Sequence, residues 1–140
     1  MTDIVVLVDS RGGNTRKVAE AIAEALGVSV GDLAVPLPAE AKTLFLGSGT
    51  YGGKPGETMK GFISYNEFSG RRVALFGTSG GPEGAKKMME VMADDLTRKG
   101  ATILGTYHCR GKFLFTNRGH PNDEDLANAR TFAREMVGVS

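Results

Sequence analysis

Along this chain, short apolar runs take turns with segments whose apolar residues recur every three or four positions. Ile4 to Val8 is an unbroken aliphatic run, the pattern of a strand buried on both faces. Comparable runs predict strands at about 3–9, 43–48, 72–78 and 101–108, with a shorter one near 28–34. Val18, Ala21, Ile22, Ala25 and Leu26 form one stripe, predicting a helix from about Asn14 to Leu26 with Gly27 as its C-cap. A second helix begins after Pro55 and carries Met59, Phe62 and Ile63. A third starts near Pro82, a residue suited to a first helical turn, and shows Ala85, Met88, Met89, Met92, Ala93 and Leu96. The last opens at Asn122 as N-cap, with Asp123, Glu124 and Asp125 complementing the helix dipole. Its stripe is Leu126, Ala129, Ala133, Met136 and Val137.

Strands that alternate with helices, each strand nearly all apolar, imply a parallel sheet covered on both sides. The fold class expected is α/β, a three-layer αβα doubly wound sandwich. Pro36-Leu37-Pro38-Ala39-Glu40 is too short and proline-rich for a full crossover helix, so only a truncated turn is expected there. The methionines of the third helix read as core filler between helix and sheet rather than as a sulfur-rich binding face. No repeat, linker or low-complexity tract interrupts the pattern, and residues 1–140 read as one domain.

Composition narrows the function classes. Lys+Arg 17 nearly balances Asp+Glu 16, which gives no warrant for nucleic acid or an anionic membrane as a partner. No apolar run is long enough to span a bilayer, and the N-terminus lacks a signal pattern. The single cysteine, Cys109, excludes an internal disulfide framework and fits a reducing compartment, so a cytoplasmic location is expected. Glycine is the outlier, with 20 residues gathered at 12–13, 47–56, 77–84 and 105–119. Three of these clusters follow predicted strands, where ligands collect in open α/β sheets. Plain turns would explain one such cluster, but three in equivalent positions point to a ligand site.

The first cluster sits in Ser10-Arg11-Gly12-Gly13-Asn14-Thr15, between an apolar strand and an amphipathic helix. Unpaired N–H groups at a helix start, with the helix dipole behind them, favour an anion. Hydroxyls at Ser10 and Thr15 and the amide of Asn14 complete a phosphate cradle. The spacing G-x-x-x-x-G-K-S/T of nucleotide hydrolases is missing. So is the acidic cluster of a response-regulator receiver, of which only Asp9 is present.

These residues resemble the flavodoxin family. Ser10 to Thr15 is similar to that family's phosphate signature S/T-x-T-G-N-T, with Gly12 where a hydroxyl residue is usual. Leu46-Gly47-Ser48-Gly49-Thr50-Tyr51-Gly52-Gly53 resembles the loop along the isoalloxazine ring, and Phe76-Gly77-Thr78-Ser79-Gly80-Gly81 the loop on its other side. The resemblance implies a five-stranded parallel sheet of order 2-1-3-4-5 and FMN as cofactor. It assigns cofactor binding to Ser10, Arg11, Gly12, Gly13, Asn14, Thr15, Ser48, Gly49, Thr50, Tyr51, Gly52, Gly53, Thr78, Ser79, Gly80 and Gly81. Arg11 either compensates for Gly12 by approaching the phosphate or is solvated. Tyr51 is the candidate to stack on the flavin, against the alternative of an ordinary surface aromatic. In the family's mechanism, the flexible Gly52-Gly53 peptide turns over when flavin N5 gains a proton.

Two departures matter. The third loop, Thr78 to Gly84, has no aromatic residue, leaving one ring face bare or covered by Tyr107, His108, Phe113 or Phe115. The chain is also close to neutral, with Lys54 in the ring-side loop, where family members are often strongly acidic. A less negative potential for the fully reduced flavin is therefore expected. Cys109-Arg110-Gly111-Lys112 and Arg118-Gly119-His120-Pro121 are placed in a long connection after the last strand. Cys109 reads as a small buried apolar residue before a redox thiol, and His120 as a turn residue before a proton donor.

The function implied is an FMN-binding electron-transfer protein, shuttling one or two electrons between redox partner proteins. The rivals are an FMN-dependent reductase of a quinone or metal chelate, or an activator resembling the flavodoxin-like partner of ribonucleotide reductase. A third reading is a non-redox module that keeps the fold and binds another phosphate ligand.

Overall fold

The computed structural model describes residues 3–111 and 119–138. Four strands alternate with four helices: β1 (Ile4–Asp9), α1 (Asn14–Leu26), β2 (Thr43–Gly49), α2 (Glu57–Tyr65), β3 (Arg72–Ser79), α3 (Pro82–Arg98), β4 (Thr102–Arg110) and α4 (Asp123–Gly138). The sheet is parallel, in the spatial order β1-β2-β3-β4, with β2 buried along its full length. One core cluster packs α2 and α3 on one face of the sheet, and a second packs α1 and α4 on the other. The three-layer α/β sandwich is therefore as expected, and the methionines Met88, Met89 and Met92 are core residues.

The strand count is not. Four strands form instead of five, because the segment near 28–34 makes only an isolated parallel bridge, Val30 to Val6. That bridge lies on the free side of β1, so the implied order 2-1-3-4-5 survives with its second member reduced to one contact. The reason is local. Gly31 donates to Val6 O at 2.8 Å, and the chain then turns, with Asp32 Oδ1 accepting from Ala34 N at 2.8 Å and Asp32 O from Val35 N at 3.1 Å. An Asp side chain that bonds its own backbone offers an alternative to the ladder, and Pro36 cannot donate to one.

Helix ends are held by local bonds at α1 and α4 and by tertiary partners at α2. Gly27 closes α1 at φ 72°, with Val28 N donating to Ala23 O at 3.0 Å. Asp9, the receiver-like acidic residue, caps α2 from another element, accepting from Met59 N at 2.9 Å. Lys99 Nζ donates to the carbonyls of Ile63 (2.8 Å), Ser64 (2.8 Å) and Asn66 (2.6 Å), satisfying the far end of α2. At α4, Asn122 Oδ1 accepts from Asp125 N at 2.8 Å while Asp125 Oδ2 accepts from Asn122 N at 2.9 Å, a reciprocal cap.

Candidate functional site

Parallel strands joined by crossovers bring every strand-to-helix loop to one edge of the sheet. The loops after β1, β2 and β3, with Gly111 beyond β4, enclose a cleft of about 220 Å³ there. Ser10, Gly12, Asn14 and Thr15 line it from the first loop, Gly49, Thr50 and Tyr51 from the second, and Thr78, Ser79 and Gly80 from the third.

Hydroxyls knit the three loops together. Thr15 and Thr78 are 1% and 4% exposed, and their Oγ1 atoms share a hydrogen bond of 2.8 Å. Thr50 Oγ1 donates to Thr78 O at 2.9 Å, joining the second loop to the third. Gly111 N donates to Ser79 O at 3.0 Å, and a Cβ at Gly111 would lie only 3.0 Å from Asn14 Nδ2. Within the first loop, Ser10 Oγ accepts from Gly13 N at 3.1 Å, and Gly13 takes φ 88°, the left-handed region that glycine tolerates.

The start of α1 differs from its neighbours. Its first turn carries no acidic residue, where α2, α3 and α4 each have at least one; its N-cap is Gly13, a glycine like Gly56 at α2 and Gly81 at α3. Side-chain acceptors serve the other starts: α2 has Asp9, α4 has Asn122, and Ser79 Oγ accepts from Ala85 N near the start of α3 at 3.0 Å. A helix start without a competing carboxylate, opening on a cleft lined by hydroxyls and an amide, is chemically suited to an anionic ester. Gly12 widens it, since a Cβ there would meet nothing within 4 Å.

The second loop turns tightly after Tyr51. Tyr51 N donates to Lys54 O at 2.9 Å and Lys54 N to Tyr51 O at 3.3 Å, around Gly52 and Gly53 at φ 65° and 76°. Positive φ at both central residues is the signature of a type I′ hairpin. Tyr51 is part-buried, and its hydroxyl accepts from Arg11 N at 3.2 Å.

Not every expected residue reaches the cleft. Ser48 is fully buried, donating to Gly49 O at 2.8 Å and accepting from Gly56 N at 2.9 Å, so it shapes the loop from behind. The side chain of Arg11 lies over Tyr51, and Gly13, Gly52, Gly53 and Gly81 stand outside the lining. Several glycines answer to packing. A Cβ on Gly47 would lie 2.1 Å from the Phe76 ring, one on Gly56 2.2 Å from Asp9, and one on Gly77 2.3 Å from Met88. Gly111 is the lining residue missed among the candidates; its signal was a glycine directly after the last apolar run.

Residues near the end of β4 take other roles. Cys109 and Arg110 belong to the strand itself, not to the connection after it. Burial, with Asp125 nearby, pushes the Cys109 thiol up to about 12, so it is a neutral thiol at pH 7. Tyr107 packs against Phe132 at 5.7 Å and donates to Asp125 O at 2.7 Å; burial raises its pKa as well. His120 Nδ1 sits 2.6 Å from Asp125 Oδ2, inside the cap of α4. Phe113 and Phe115, candidates for a ring cover, lie outside the described residues, as do Lys112 and Arg118. Among the described residues no cluster of His, Cys, Asp and Glu could hold a metal ion, and no helix is long and apolar enough to cross a membrane.

A family model described as the flavodoxin domain matches residues 5–117. The chain belongs to the flavodoxin domain family. An uncharacterized protein of Methanocaldococcus jannaschii is 27% identical over 135 residues, covering 89% of this chain and 90% of that one. Oxidised flavodoxin 1 from Bacillus cereus matches with a TM-score of 0.76 at 19% identity, over 96% of this chain and 97% of that one. The rubredoxin oxygen:oxidoreductase of Desulfovibrio gigas matches at 0.72 and 20% identity, over 99% of this chain but 36% of its own. These two likenesses are of fold.

A flavodoxin domain implies a flavin cofactor, typically FMN. The cleft fits the phosphate end of that molecule: the start of α1, the open wall at Gly12, and the side chains of Ser10, Asn14 and Thr15. At about 220 Å³ it is smaller than the roughly 300–1,000 Å³ usual for small-molecule sites, and Tyr51 is the one aromatic residue in its lining.

Proposed function

We propose that this flavodoxin-domain protein binds FMN in the cleft and carries one or two electrons between redox partner proteins. The observation that carries the reading is the convergence of the loops on the start of α1, with the Tyr51 ring in the cleft lining. The opening N–H groups of α1, with Ser10, Asn14 and Thr15, would hold the phosphate as neutral donors. Thr50, Ser79 and Gly80 would border the chain that joins phosphate to ring, and Tyr51 would present an aromatic face. FMN, when bound, supplies reversible one- and two-electron chemistry; the protein contributes binding, orientation and local charge.

A second reading, an FMN-dependent reductase, has one observation in its favour. The third loop brings no ring to the cleft, and beside it Ser79 and Gly81 border a second hollow of about 370 Å³ with Tyr107, His108, Cys109 and His120. That hollow offers room for a small acceptor. Calorimetric titration with FMN is the first test: saturable one-to-one binding supports both readings, and no heat at high micromolar concentration overturns both. Anaerobic NADPH then separates them, because direct bleaching of the bound flavin marks a reductase and unchanged colour marks a carrier.

A further inference from the structure

Arg11 stands inside the first loop, between two residues that line the cleft, yet its side chain lies over Tyr51. Its neighbours Ser10 and Gly12 line the cleft, and Arg11 does not. Its guanidinium carbon stands 4.0 Å above the centre of the Tyr51 ring, within contact distance of the π face. Its backbone N–H donates to the hydroxyl of the same tyrosine at 3.2 Å. A Cβ on Gly49 would fall 2.6 Å from that hydroxyl, so the glycine makes room for the tyrosine to lie in this orientation. One residue therefore holds Tyr51 at both its face and its tip. Tyr51 otherwise rests on a tight Gly52–Gly53 hairpin, which anchors its backbone but not its ring.

We infer that Arg11 is a positioning residue for flavin-ring recognition, fixing Tyr51 as a platform, and not a phosphate ligand. This assignment rests on the FMN reading above. A guanidinium can fork onto a phosphate or stack on an aromatic face, and here it is the stacked arrangement over Tyr51 that the side chain adopts. At an exposed position such a contact favours the held ring by a factor of about two to five, which is the most its loss can cost flavin affinity.

Three probes separate the ends of the cleft: inorganic phosphate, FMN, and riboflavin, which has the ring without the phosphate. Arg11→Ala is expected to weaken FMN and riboflavin by the same factor, about two- to fivefold, and to leave phosphate affinity unchanged. In a Tyr51→Leu background the same substitution is expected to have no further effect, since the partner is gone. Proton NMR supplies a readout without flavin: Arg11 side-chain resonances shifted upfield by the ring, returning to ordinary positions in Tyr51→Leu. Loss of phosphate and FMN affinity with riboflavin spared would overturn the assignment, as would no change with any probe or no upfield shift. A wild-type protein that takes up neither flavin would instead bring down the FMN reading, and this assignment with it.

Discussion

The paired hydroxyls of Thr15 and Thr78 allow a quantitative test of how the cleft is held together. Thr78→Val keeps the side-chain shape and removes the oxygen that sits 2.8 Å from Thr15 Oγ1. Thr15 is 1% exposed, so its hydroxyl is largely shut off from solvent when that partner is lost. A buried hydroxyl left without a partner costs about 1–3 kcal/mol. Thr15→Val should cost a similar amount by the same logic, because Thr78 is 4% exposed. The double valine variant removes both polar groups together and should cost clearly less than the two singles added, since nothing is stranded. With a urea m-value of about 2 kcal/mol/M, a loss of 1.5 kcal/mol moves the unfolding midpoint by roughly 0.7 M. Equilibrium urea unfolding of the four proteins, without added flavin, reads this directly. If each single variant unfolds within about 0.3 kcal/mol of wild type, or if the double equals the sum, the hydroxyl pair does not tie the loops.

Other consequences follow from the same geometry. Lys99→Met removes three hydrogen bonds to carbonyls at the end of α2 and should cost about 1–3 kcal/mol, with faster amide exchange confined to residues 62–66. The Cys109 thiol is raised from 9.0 to about 12 in the folded state, so its contribution is complete below pH 9 and is lost as pH rises toward 12. Stability-against-pH curves of wild type and Cys109→Ala should therefore run parallel below pH 9 and converge above it; divergence at acid pH would contradict this. Gly53→Ala forces a Cβ into φ 76° and should cost about 1–2 kcal/mol, while Gly52→Asn should be milder. Equal losses for both in thermal unfolding would argue against the type I′ hairpin.

Periodicity alone located β1, α1, β2, α2, β3, α3, β4 and α4 to within a few residues, because helix and strand repeats are properties of the local backbone. The loop that lines the cleft before α1 was equally visible, since glycines and hydroxyls between a strand and a helix restrict what that turn can do. Contacts between distant positions were not. The segment around Val30 reads as a strand by composition, yet the turn at Asp32 and the lack of a crossover helix leave it one bridge. Glycines 47, 56 and 77 stand within the glycine clusters, and each leaves room for a side chain from elsewhere: Phe76, Asp9 and Met88. Ser48 points away from the cleft, Gly111 joins it, and Arg11 meets a tyrosine 40 positions later. Each of these depends on sheet register and helix docking, which set which atoms share space, and no repeat within a single segment encodes that.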